Sequence, residues 1–214
     1  MAVIPLEVTE WMKGYIGFGA TDYDAGFIRG IEAGTFFMHE MLIRIDDIDR
    51  FVGDPGHAAT MDGFIQCDAL GGKRPVKGAA FNMFVDAKNP RLKYMLYRIP
   101  FHDGSGAPHT MFGHKTVHDD RTLDLYGDTT TLYVRIFRGD VPGHDLSTPA
   151  ITSSALPDDP IAKGVIHIEK LDLYRSIRSF RSPGSNPAAA AHAFGAFGQF
   201  FMGKLWEVYG MALR

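Results

Sequence analysis

Between Lys93 and Val117 two runs rich in aromatic and β-favouring residues flank the polar turn Asp103-Gly-Ser-Gly106. Such runs around a Gly-containing turn signal a β-hairpin. Side chains alternate along a strand, so Met95, Tyr97, Ile99 and Phe101 share one face of its first arm. A hairpin in mid-chain, with strand-period runs on both sides, commits the chain to an antiparallel sheet joined by short turns.

The neighbouring segments extend that sheet in both directions. Leu6 to Phe18 reads as an opening strand or an extended arm, broken by Gly14 and Gly17. Thr21 to Gly34 suits a short helix with Thr21 or Asp22 as N-cap. Its Gly26, Gly30 and Gly34 weaken the helix but permit close backbone packing. Thr35 to Asp46 is the next strand, with His39, Met41, Ile43 and Ile45 on one face. Further strands are expected around Gly63 to Cys67 and over Val76 to Val85, where Phe81, Met83 and Val85 oppose Asn82 and Phe84. Turns are expected at Lys88-Asn-Pro-Arg91 and Asp119-Asp-Arg121. Thr129 to Arg138 is strongly β-favouring. Gly139 to Pro160 reads as a long loop with one short strand at 150–154. Gly164 to Phe180 begins as a strand. Ile43-Arg-Ile-Asp-Asp-Ile-Asp49 and Ile166-His-Ile-Glu-Lys-Leu-Asp172 share a pattern, read as a repeated strand-then-turn rather than a duplication.

The C-terminus changes period. After the linker Ser182-Pro-Gly-Ser185, Asn186 is an N-cap and Pro187 occupies the first turn. Phe194, Phe197, Phe201, Leu205 and Val208 then recur at three- and four-residue steps, the mark of a helix with one apolar stripe. Seven to nine antiparallel strands followed by one helix predict an up-and-down, calycin-like β-barrel, which removes exposed edges and at about eight strands holds one small ligand. The chain divides into an N-terminal arm and short helix (1–34), the barrel (35–181) and the C-terminal helix (186–210), in one domain. The helix stripe must pack on the barrel or on another copy of the chain, which leaves a homo-oligomer open.

Composition narrows the function. A net charge of −3 and a pI near 6.3 argue against nucleic acid or an anionic membrane as the main partner. No apolar run is long enough for a transmembrane helix and no signal peptide is evident. With the single Cys67, this suits the cytoplasm. His102, His109, His114 and His118 crowd the hairpin, but His114 and His118 stand about 13 Å apart at strand rise, too far for one zinc. Gly104-Ser-Gly106 lacks nucleophile-elbow spacing. No Walker loop, flavin or dinucleotide motif or paired-carboxylate motif is present, so no cofactor, metal or catalytic residue is assigned.

Polar residues on otherwise apolar strands remain: His39, Asn82, Tyr97, His114, Tyr133, Arg135 and His167, with Phe101 as an aromatic neighbour. An apolar lining with a few convergent polar groups is what a ligand cavity needs. Alternation alone leaves open which face is inside.

Six blocks carry a family resemblance: Glu10-Trp-Met-Lys-Gly14, Ile45-Asp-Asp-Ile-Asp-Arg-Phe51, Cys67-Asp-Ala-Leu-Gly-Gly72, Phe81-Asn-Met-Phe-Val-Asp86, Asp128-Thr-Thr-Thr-Leu-Tyr133 and Leu205-Trp-Glu-Val-Tyr-Gly210. Together they resemble the β-rich accessory region found beside glucose–methanol–choline-type, cholesterol-oxidase-like flavoproteins and α/β-hydrolase domains. The resemblance implies a role around sterols or similar lipophilic molecules, with a flavin oxidoreductase as partner. It transfers no catalytic residues, and the chain lacks both the flavin-binding Gly motif and the hydrolase elbow. The expectation is a barrel binding a sterol, fatty-acid or polyketide-like ligand; the alternative is a cofactor-independent isomerase or cyclase in the same cavity.

Overall fold

A computed structural model describes residues 3–87, 89, 91–118, 125–142 and 159–210. Eight strands, β1 (Leu6–Phe18), β2 (Phe36–Ile45), β3 (Ala58–Cys67), β4 (Gly72–Asp86), β5 (Leu92–His102), β6 (Pro108–His118), β7 (Thr131–Arg138) and β8 (Ala162–His167), pair in sequence order. Each is antiparallel to the next, and β8 returns to pair with β1, closing the barrel. The predicted hairpin is β5–β6, with Tyr97 opposite Gly113 and Phe101 opposite His109.

The barrel therefore starts at Leu6 rather than at residue 35. Leu6, Val8, Met12 and Ile16 are buried on one face of β1 and belong to the common core. An edge arm would leave that apolar row in water.

Between β1 and β2, helix α1 (Tyr23–Ala33) is capped by Asp22, whose carboxylate accepts from Ala25 N–H. It lies across the outside of the β1–β8 seam, and its glycines let it do so. A Cβ on Gly26 would stand 2.2 Å from the Lys163 carbonyl oxygen, and one on Gly30 would stand 2.6 Å from that of Ile16. Both distances are below any real contact.

Three helices cover one end of the barrel: α3 (Leu125–Thr130), α4 (Lys170–Ser179) and α5 (Pro187–Tyr209). The short α2 (Ile48–Gly53) packs beside α5. Helix α5 is the predicted one, with the Asn186 side chain accepting from Ala189 N–H. Helix α4 was not expected. It is fixed to β1 by Lys13, whose ammonium sits 2.9 Å from Glu169 and 3.0 Å from Asp172. The sequence echo is accounted for: β2 leads into α2 and β8 into α4, so each copy is a strand followed by a helical turn.

Strand β4 carries a bulge between Asn82 and Val85 that breaks the expected alternation. Phe84 takes a left-handed backbone, φ 52°, and turns its ring towards Phe200 and Phe201 of α5. Val85 instead pairs with Tyr94 and packs against Leu96 in a small separate cluster. No helix among the described residues is long and apolar enough to cross a membrane. The strand expected at 150–154 and the turn at 119–121 fall outside the described residues, as do Lys88 and Pro90.

Candidate functional site

The barrel interior is divided along its axis. The half near the β5–β6 turn is packed solid by Met12, Phe37, Met41, Ile65, Ile99 and Met111, all fully buried. The half beneath α4 and α5 holds a cavity of about 390 Å³, a size that suits a drug-like small molecule. Its walls are mostly apolar, with Val8, Ile43, Met83 and Met95 from the strands and Phe197 and Phe201 from α5. Ile177 of α4 lines the cavity yet is 60% exposed, so the cavity meets solvent beside that helix.

Glu10, Tyr97 and Lys115 also line the cavity. They are held together because alternation brings three distant strands to one level inside the barrel. Glu10 follows Leu6 and Val8 on the inner face of β1, Tyr97 follows Met95 on β5, and Lys115 follows Met111 and Gly113 on β6. The Lys115 ammonium donates to Glu10 Oε2 at 2.8 Å, and the Tyr97 hydroxyl donates to the same oxygen at 3.2 Å. His39 of β2, fully buried, brings Nε2 to 3.3 Å from Glu10 Oε1. A carboxylate only accepts, so Nε2 carries a proton and donates. His39 Nδ1 has no hydrogen-bond partner.

Burial alone would push the Glu10 carboxyl upward. The Lys115 charge opposes it, joined by the hydrogen bond and charge of His39, and the net result is about 2. Glu10 is thus an anion at every ordinary pH. Burial, with the neighbouring Glu10 charge, pushes the Tyr97 phenol well up, so it stays a hydrogen-bond donor. The site is a buried Glu10–Lys115 ion pair with Tyr97 and His39 hydrogen-bonded to the same carboxylate, reached through an apolar vestibule.

The sequence candidates separate by face. Tyr97 lines the cavity, and His39 lies behind its floor. Phe101 points inward at the opposite end, stacked on His109 at 5.5 Å. Asn82 is structural: its amide donates to the Gly56 carbonyl at 2.7 Å, tying the β4 bulge to the α2–β3 loop. His114, Tyr133, Arg135 and His167 stand on the outer face of the barrel. His114 stacks on Tyr133 at 5.4 Å and meets Tyr23 of α1 at 5.6 Å, while Phe27 of α1 covers His167. Burial, seconded by the Arg135 charge, holds the His114 imidazole down to about 4.

Glu10 and Lys115 were not among the candidates, because a charged residue on a strand is ordinarily read as solvent-facing. The available signal was parity. Each shares its strand's buried face, Glu10 with Val8 and Met12, Lys115 with Met111 and Val117. Searches against known protein families, curated proteins and solved structures find no match to this chain.

Proposed function

We propose that this protein binds a small lipophilic molecule, of sterol, fatty-acid or polyketide-like bulk, inside the open half of the barrel. The observation that carries the reading is the cavity itself: about 390 Å³, walled by Val, Ile, Met and Phe, with Glu10, Tyr97 and Lys115 at its polar floor. An apolar wall with a few convergent polar groups is the usual make-up of a small-molecule site. Service to a flavin oxidoreductase, which the sequence resemblance implies, and a cytoplasmic place, which the single Cys67 suits, belong to the same proposal.

The second reading, a cofactor-independent isomerase or cyclase, draws on the same floor. It needs a group that exchanges protons near neutral pH. Glu10, held near 2, is a weak base, and Tyr97, pushed well up, is a weak acid. Both are better suited to holding a ligand than to moving its protons, which favours the binder.

A thermal-shift panel of sterols, 3-ketosteroids and fatty acids tests the proposal, followed by product analysis of any hit. A ligand selective for the native state, at 100 times its dissociation constant, adds about 2.7 kcal/mol of stability. A shift with ligand recovered unchanged supports binding. A shift with rearranged product supports the enzyme, and no shift across the panel overturns both.

A further inference from the structure

The hydrogen-bond inventory of the floor identifies what the head of the ligand must offer. An ammonium has three N–H donors. Lys115 uses one on Glu10 Oε2, and the described residues supply no acceptor for the other two. The Tyr97 hydrogen is already committed to the same oxygen, and the second Glu10 oxygen accepts from His39. The bare acceptor in the cluster, His39 Nδ1, belongs to a residue that does not line the cavity. The floor therefore presents two uncommitted ammonium donors, while the Glu10 carboxylate already accepts three hydrogen bonds. Within the ion pair the charge of Glu10 cancels that of Lys115.

Resting on the cavity reading above, we propose that the site selects a lipophilic molecule ending in a neutral carbonyl, a ketone or ester, whose oxygen accepts from the Lys115 ammonium. Two alternatives fit less well. A carboxylate head would stand beside the Glu10 carboxylate and compete with it for the Lys115 ammonium; like charges in a buried site are costly. A plain hydrocarbon would leave two ammonium N–H groups buried and unpaired. The contact is non-covalent, a hydrogen bond from the ammonium that is ion-paired with Glu10 at 2.8 Å.

Three molecules of similar shape make the test: 4-phenyl-2-butanone, butylbenzene and 4-phenylbutyrate, titrated by calorimetry at pH 7.5. The ketone is expected to bind at least tenfold more tightly than butylbenzene and more tightly than the acid. In Lys115→Met that advantage should vanish, the ketone and butylbenzene binding equally. The double variant Glu10→Leu/Lys115→Met, which leaves no lone buried charge, serves if the single variant does not fold. Equal affinity for ketone and butylbenzene, tightest binding of the acid, or a ketone preference that survives removal of Lys115 overturns the head-group assignment but leaves the cavity reading standing. Binding of none of the three overturns both. With the carbonyl carbon labelled, the bound ketone should resonate downfield of its position in cyclohexane. A resonance in the imine region would overturn the non-covalent contact.

Discussion

At the scale of single residues, Glu10 is the most consequential side chain. Removing one member of a buried ion pair leaves the other charge uncompensated, at a cost of about 3–5 kcal/mol, whereas replacing both with apolar groups is often neutral. Glu10→Gln should therefore be strongly destabilised in urea melts, and Glu10→Leu/Lys115→Met should recover most of the loss. Equal stability of the single and double variants would contradict this. The same carboxyl makes stability depend on acid. Its folded value lies at about 2 against 4.5 in the ordinary state. The folded form therefore holds its proton less readily. The contribution is complete above pH 4.5 and is lost as pH falls towards 2, amounting to about 3 kcal/mol. The double variant should lack that share of the acid sensitivity. His114 acts in an adjoining window. Its folded value of about 4 lies below the ordinary 6.5, so the unfolded chain takes up a proton first and stability falls as pH drops from 6.5 towards 4. Following the His114 ring proton by NMR checks this; a midpoint near 6.5 would mean that the ring is not covered by Tyr23.

At the scale of elements, α5 and α1 divide the work of covering the barrel. Phe200 is the buried anchor of α5, with its ring 4.5 Å from His57, 5.4 Å from Phe51 and 6.0 Å from Phe84. Phe200→Ala should cost about 3–5 kcal/mol, as other large-to-small core changes do. Phe201, half-buried against the cavity, already faces open space, so Phe201→Ala should cost less and chiefly enlarge the site. Parallel denaturation curves rank the two; a larger loss for Phe201 would reverse the assignment. On α1, Gly26→Ala would drive a methyl against the Lys163 carbonyl, and overpacking of this kind costs about 1–3 kcal/mol. The elements also show what was legible beforehand. The strands and α5 could be read because their apolar periods match their buried faces. Helix α4 could not, since the positions it buries include Asp172 and Ser176 while Leu171, Tyr174 and Ile177 lie exposed. The β4 bulge was equally hidden: one extra residue changes which face Phe84 and Val85 occupy without altering composition. For the site, Tyr97 stood out as a polar ring in an apolar row. Glu10 and Lys115 did not, since their partners lie on strands remote in sequence.

At the scale of the whole molecule, the up-and-down barrel gives every strand a sequence neighbour except at one place. Strand β1 pairs with β8, joining Lys13 to His167 across most of the chain. Neighbouring hairpins close short loops, but this seam must organise everything between its two sides first, and such long-range pairing folds slowly. Until it forms, β1 and β8 are open edges able to recruit strands from other molecules. Helix α1 meets both sides of the seam at once, Gly26 against Lys163 of β8 and Gly30 against Ile16 of β1. That seat exists only after the two strands have met. The helix is therefore a clasp set by closure itself: loosening it would let the closed seam reopen more readily and expose β1 and β8 again to strands of other molecules.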